Sequence, residues 1–341
     1  MNTNHAIPAA PHAVRYHATG KPDEVLKYEA VSDDAREPAA GEVLVLMEAA
    51  VIHPSDLGMI GGTYGRLRAL PAVAGREGVG RVAKLGADVT KFKIGDRVRM
   101  PEDSGVWREA IVARADDLMS VPSDLPAEQA AMAFINPPTA WLLLHEFVNL
   151  KPGDWIIQNA SNSAVGECVI QFARSLGLRT ACLVRSPEKH EANLRAMGAD
   201  VVVADDDKAL KAVMPQLGGA APRLALNSIG GMSAITLTRS LGQDGQLVTF
   251  GGMTGDAIRF PTREFIFKNV ALRGFWMDRW ARSANPGALQ AVLDAVYARL
   301  RDGSLKMAVD SVYPINQYAG ALARAGGYGR NGKVLLRGPG A

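Results

Sequence analysis

Cysteine is scarce: only Cys168 and Cys182 occur in 341 residues. A four-cysteine zinc lobe is therefore impossible, and a disulfide framework has no material to build on. Both cysteines lie on apolar segments and read as core. The six histidines, His5, His12, His17, His53, His145 and His190, form no His-x-x-x-His or Cys/His cluster, so no metal is expected. Long apolar runs are missing as well. Nothing approaches the 18 consecutive apolar residues that would span a membrane. The opening MNTNHAIPAAPHAVRYH lacks the apolar core of a signal peptide and holds a single arginine, Arg15, where a transit peptide is arginine-rich. A cytoplasmic location is the resulting expectation. The net charge of +3 is spread along the chain with no basic tract, so nucleic acid is not an expected partner.

Hydrophobic content of 48% over this length suits a folded protein of two domains. The organising stretch is Gly153 to Lys189, GDWIIQNASNSAVGECVIQFARSLGLRTACLVRSPEK. A short apolar strand from Trp155 runs into small polar residues, Asn159 to Ser163. A helix follows with Val165, Val169, Phe172, Ala173 and Leu176 on one face, stopped by Gly177. A second strand covers Thr180 to Val184. Strand, turn, helix and strand in about 30 residues open a dinucleotide-binding fold. The glycine fingerprint is incomplete. Ser161, Ser163 and Gly166 take the three glycine places of Gly-x-Gly-x-x-Gly, and only the last keeps glycine. Small hydroxyls still leave room for a pyrophosphate at a helix N-terminus. The end of the second strand, where an acid would select NAD, holds Arg185, followed by Ser186 and Lys189. An arginine there suits the 2′-phosphate of NADPH.

Around this unit the chain changes character. Residues 13 to about 128 read as β-rich, with strands over Glu42–Ala50 and Gly75–Leu85 and a flexible loop at Gly61–Gly65. Asn136 to Thr139 breaks a helical pattern before a helix over Ala140–Phe147. Further strands at Val201–Val203, Leu224–Asn227, Gln246–Phe250 and Val270–Trp276 alternate with helices, which implies a parallel sheet with ligand at the strand C-ends. Asn227, Phe250, Gly251 and Gly252 lie at such ends. An amphipathic helix at 286–301 follows, and the tail from Ser311 to Leu336 reads as a return to the first domain. The expected domains are 1–128, 129–278 and the returning 279–341.

This order resembles the medium-chain dehydrogenase/reductase superfamily: a GroES-like β-rich catalytic domain and an α/β Rossmann domain with a doubly wound parallel sheet. Within it, the chain is most similar to the zinc-independent trans-2-enoyl thioester reductases, the mitochondrial-type enoyl-CoA/enoyl-ACP reductases. The carrying stretches are HPSDLGMIGGTYG, LPAVAGREGVG, INPPTAW, IQNASNSAVG, RLALNSIGG, FGGM and LRGFWMDRW. The family often carries Asn-Pro-Ser-Asp and Gly-Asn-Glu-Gly, where this chain has His53-Pro54-Ser55-Asp56 and Gly75-Arg76-Glu77-Gly78. Zinc-dependent relatives hold metal ligands there, and Arg76 does not ligate zinc.

The resemblance implies Tyr64 as proton donor. It implies NADPH contacts at Asn136, Asn162, Ser163, Ala164, Val165, Arg185, Ser186, Phe250, Gly251, Gly252, Met253, Phe275, Trp276, Met277 and Lys333. Without it, Tyr64 is a loop tyrosine, Trp276 a core aromatic and Lys333 a surface lysine. The implied reaction is reduction of the double bond of an enoyl-CoA or enoyl-ACP, with hydride to the β-carbon and a proton to the α-carbon, in a homodimer. The alternatives are an NADPH quinone or alkenal oxidoreductase on the same fold, and a non-enzymatic NADPH-binding protein.

Overall fold

The computed structural model describes residues 7–32 and 36–341; His5 falls outside them. The chain forms two compact units. One runs to Phe134 and resumes at Met307, and the other is the continuous stretch Ile135–Lys306. These bounds differ from the expected 128/129 and 278/279. The helix Ala127–Ala131 packs on the strands Glu42–Val51 and Gly78–Leu85 and stays with the first unit. The helix Pro286–Arg301 packs on Asn136–His145 and stays with the second.

The first unit is built on the strand Glu42–Val51. It pairs antiparallel with Gly78–Leu85, Ala110–Arg114 and the late strand Lys333–Arg337. Val43, Val45 and Met47 are wholly buried; each such side chain contributes roughly 1.5–3 kcal/mol. Trp107 is buried among them and donates its indole N–H to the Val51 carbonyl at 3.1 Å. Gly75 sits against that indole. Its φ is +85°, and a Cβ there would lie 2.1 Å from Trp107 Cδ1, so only glycine fits immediately before Arg76.

The segment Gly61–Gly65 is not a loose loop. Pro54–Ile60 forms a helix, and the chain folds back onto its end. Thr63 and Tyr64 N–H both donate to the Gly58 carbonyl, at 2.8 and 3.1 Å. Gly62 at φ +77° makes the reversal possible.

The second unit carries six parallel strands in the order Val201–Ala204, Arg179–Val184, Trp155–Gln158, Leu224–Asn227, Gln246–Thr249, Ala271–Gly274. Numbered along the chain this is 3-2-1-4-5-6, the doubly wound order, which reverses between Trp155–Gln158 and Leu224–Asn227. The expected break at Asn136 to Thr139 is instead the first turn of a helix, Asn136–His145. Pro137 and Pro138 are tolerated because first-turn N–H groups have no intrahelical partner. Cys168 and Cys182 are buried and unpaired with each other, and burial pushes the Cys182 thiol up to about 11.

Candidate active site

Each unit carries its own set of candidate groups. In the second unit, the chain leaves Trp155–Gln158 through Asn159 and turns at Ala160, whose φ of +44° is unusual for a non-glycine residue. Ser161 Oγ donates to the Gln158 carbonyl at 3.0 Å. Ser163 Oγ then caps the helix Ala164–Ser175 by accepting the Gly166 N–H at 3.2 Å. A Cβ on Gly166 would lie 2.6 Å from the Ser161 carbonyl oxygen. This explains why the third fingerprint position is glycine: a side chain there would collide with backbone.

At the sheet's reversal point Asn159 Nδ2 donates to Asn227 Oδ1 at 2.7 Å and to Ser233 Oγ at 2.8 Å. Asn159 Oδ1 accepts the Ser228 N–H at 2.8 Å. This buried amide pair ties together the C-terminal ends of the two strands at the reversal point. Sequence reading marked Asn227 only as a strand end and missed Asn159 and Ser233, because the pair is joined across 68 positions.

The other expected cofactor contacts line up along the same C-terminal edge. Arg185 is exposed one residue beyond Val184, beside the half-buried Ser186. Phe250 N–H donates to the Asn227 carbonyl at 3.0 Å, Met253 N–H to Ser228 at 3.0 Å and Phe275 N–H to Thr249 at 2.9 Å. Gly251 approaches Ser228 closely, Gly252 is open, and Trp276 leads into the helix that starts at Met277. Asn162 is exposed, with its Nδ2 3.3 Å from His190 Nε2. Asn136 is 6% exposed, yet its Nδ2 has no hydrogen-bond partner among the described residues. A buried donor left open is costly unless a ligand uses it.

In the first unit Tyr64 does not stand alone. Arg76 Nη1 donates to Tyr64 Oη at 2.6 Å. Nε and Nη2 of the same guanidinium converge on Glu102 Oε1, at 2.9 and 2.5 Å. Burial works against the Arg76 charge, but Glu102 and Tyr64 more than offset it, so the guanidinium is held above its ordinary value. A second cluster lies beside the same motif. His53 Nε2 is 2.5 Å from Glu77 Oε2, and His53 Nδ1 is 3.1 Å from Lys333 Nζ. Glu77 Oε1 accepts the Phe134 N–H at 2.6 Å. An ammonium only donates, so we assign Nδ1 as the acceptor and Nε2–H as the donor to Glu77. Lys333 is therefore not the surface lysine of the plain sequence reading: it is 7% exposed and paired with His53. Glu102 and Glu77 were not among the sequence-derived site residues. Among the described residues, no group of three or more His, Cys, Asp or Glu could hold a metal ion.

With this geometry established, comparison with known proteins decides the family. Residues 39–123 match the Alcohol dehydrogenase GroES-like domain, and residues 164–294 match the Zinc-binding dehydrogenase family. The mitochondrial enoyl-[acyl-carrier-protein] reductase of Dictyostelium discoideum is 38% identical, covering 95% of this chain and 94% of its own. That of Homo sapiens is 39% identical over 93% of this chain and 86% of its own. The chain belongs to the enoyl thioester reductase family. A solved structure described as the Etr1p/NADP/crotonyl-CoA complex superposes with a TM-score of 0.89 at 27% identity, covering 96% of this chain and 99% of that one. The fold of this reductase is accordingly the medium-chain dehydrogenase/reductase fold expected from its motifs.

One expectation is overturned. These relatives are named mitochondrial, against the cytoplasmic reading taken from the N-terminal residues. The physical reason is that location depends on a short address segment, whereas the motifs carrying the family likeness belong to the folded units.

Proposed function

We propose that this reductase saturates the carbon–carbon double bond of trans-2-enoyl thioesters, on CoA or acyl carrier protein, with NADPH as reductant. The observation that supports it is the near full-length likeness to enoyl-[acyl-carrier-protein] reductases.

The second unit's residues suit the cofactor. The open Asn136 donor, the capped helix start at Ser163–Ala164–Val165 with Asn162, and the close backbone approach at Gly251 are the features a dinucleotide site needs. Arg185 and Ser186 would hold the 2′-phosphate. Phe250 to Met253 and Phe275 to Met277 would flank the nicotinamide half. When bound, NADPH supplies the hydride. The protein's own chemistry is to stabilise the enolate oxygen and to place a proton at the α-carbon, which we assign to the Tyr64 hydroxyl. No metal is needed for either task. NADPH oxidation with crotonyl-CoA and longer enoyl-CoAs, run beside a simple quinone and in the presence of a chelator, tests the whole reading. Turnover of thioesters, undiminished by the chelator, is expected. Inert thioesters with fast quinone reduction would move the enzyme to the quinone reductases.

A homodimer fits the second unit's sheet edge. Ala271–Gly274 is the terminal strand, with Leu272 44% exposed, and the helix Thr262–Phe267 leaves Phe265, Ile266 and Phe267 55–69% exposed. Open backbone groups beside such apolar surface are a template for pairing with a second copy. Light scattering should give the mass of two chains; the mass of one would overturn the dimer.

A further inference from the structure

We propose that Arg76 is a positioning residue for the proton transfer: clamped by Glu102, it holds the Tyr64 oxygen, leaves the phenol proton for the substrate, and stabilises the phenolate that the transfer creates. The inference rests on the enoyl thioester reading and deepens it, by giving a task to a residue that departs from the family's usual motif.

The direction of the hydrogen bond carries the argument. A guanidinium has five N–H donors and no acceptor. In the 2.6 Å contact between Arg76 Nη1 and Tyr64 Oη, the phenol oxygen must therefore accept. The tyrosine's own proton takes no part in this bond. The same guanidinium carbon lies 4.6 Å from the centroid of the Tyr64 ring, so Arg76 contacts both the face and the tip of the side chain.

Both partners are fixed before any substrate arrives. Arg76 is 4% exposed, and its Nε and Nη2 are tied to Glu102 Oε1. Glu102 is itself steadied by Arg99, whose Nη2 reaches Oε2 at 3.1 Å. Gly75, locked against Trp107, sets the backbone that leads into Arg76. Tyr64 hangs from the Gly58 carbonyl by its own N–H. A cation placed in advance against the oxygen where negative charge will develop is the arrangement that lowers a barrier without reorganisation.

The step balances simply. The Tyr64 O–H bond breaks, the proton forms a C–H bond at the α-carbon of the substrate enolate, and the electron pair stays on the phenol oxygen. Arg76 N–H then faces an anion rather than a neutral hydroxyl, so a charge–dipole contact becomes an attraction between opposite charges and strengthens. Water returns the proton to the phenolate before the next cycle.

The test is a double-mutant cycle on the full chain, read by steady-state kinetics with crotonyl-CoA and NADPH. Absence of turnover in the wild type would sink the thioester reading itself, an outcome separate from any effect of the variants. Given turnover, Arg76→Gln should lower kcat by about 10–100-fold, leave KM for NADPH within about 2-fold, and raise the solvent deuterium isotope effect on kcat. Arg76→Lys should recover part of the loss by restoring a cation. Made on top of Tyr64→Phe, Arg76→Gln should change kcat by less than about 2-fold, because its target is gone. Wild-type kcat in Arg76→Gln, or an equal drop in both backgrounds, overturns the proposal. Should circular dichroism show Arg76→Gln to be unfolded, Arg76→Lys in both backgrounds gives the same comparison with Glu102 still paired.

Discussion

Tyr64→Phe is expected to lower kcat with crotonyl-CoA by roughly 10²–10⁴-fold, the usual contribution of general acid catalysis. The ring and its packing survive the change; only the hydroxyl is lost. Its loss costs Arg76 one acceptor, but Glu102 still takes the other side of the guanidinium, so the fold should hold. NADPH affinity should barely move, because the phenol acts on the substrate. No other tyrosine stands between Tyr28 and Tyr297 in the sequence, so few phenols are placed to substitute. The measurement must isolate chemistry, since slow product release could hide a loss. Near-wild-type rates in single turnover would remove Tyr64 from the mechanism and leave the proton to solvent or to a neighbour such as Thr63.

The second large effect concerns the cofactor. Arg185→Ala should weaken NADPH binding by roughly 1.5–3 kcal/mol, the range for a hydrogen bond to a charged group, which is about 10–150-fold in Kd. NADH binding should change little, so the preference for NADPH should largely vanish. The structure leaves Arg185 exposed at the end of its strand, where the equivalent acid of an NAD enzyme would reach a ribose hydroxyl. Titration of both cofactors by quenching of protein fluorescence would decide it. Equal affinity of the wild-type enzyme for NADH and NADPH would show that Arg185 selects nothing.

Much of the architecture was legible in the chain. Alternation of strands with helices and the survival of Gly166 gave the nucleotide fold, because both follow from local backbone demands. The helix start at Asn136 was misread, since proline mimics a break in sequence while serving as a first turn in space. The site's electrostatics were hidden for a different reason. Arg76 and His53 looked like isolated departures from a motif. Their partners are Glu102, 26 positions on, and Glu77 and Lys333, 24 and 280 positions away. The pairing of Gly78–Leu85 with Arg97–Arg99, which sets Val79 opposite Arg99, brings Glu102 near Arg76. The strand Lys333–Arg337 lies against Glu42–Val51, with Leu335 opposite Val51, and so brings Lys333 to His53. Spacing rules work within a few turns of helix or one hairpin. They carry no signal for charge pairs made by sheet register.

That late strand also sets an order of events during synthesis. Ile135–Lys306 is continuous, and such a unit has all its strands in hand once its last residue leaves the ribosome. The first unit does not. Glu42–Val51 emerges early, but its neighbour Lys333–Arg337 is made only after the whole of Ile135–Lys306. Until then Ala49–Val51 lacks its partner on that side of the strand, where Ala110–Arg114 covers only Glu42–Leu46, and His53 waits beside Glu77 without its lysine. The nascent chain therefore holds a finished nucleotide unit and an unfinished proton-transfer unit at the same time, and catalytic competence waits for the strand Lys333–Arg337, which follows that nucleotide unit in the chain.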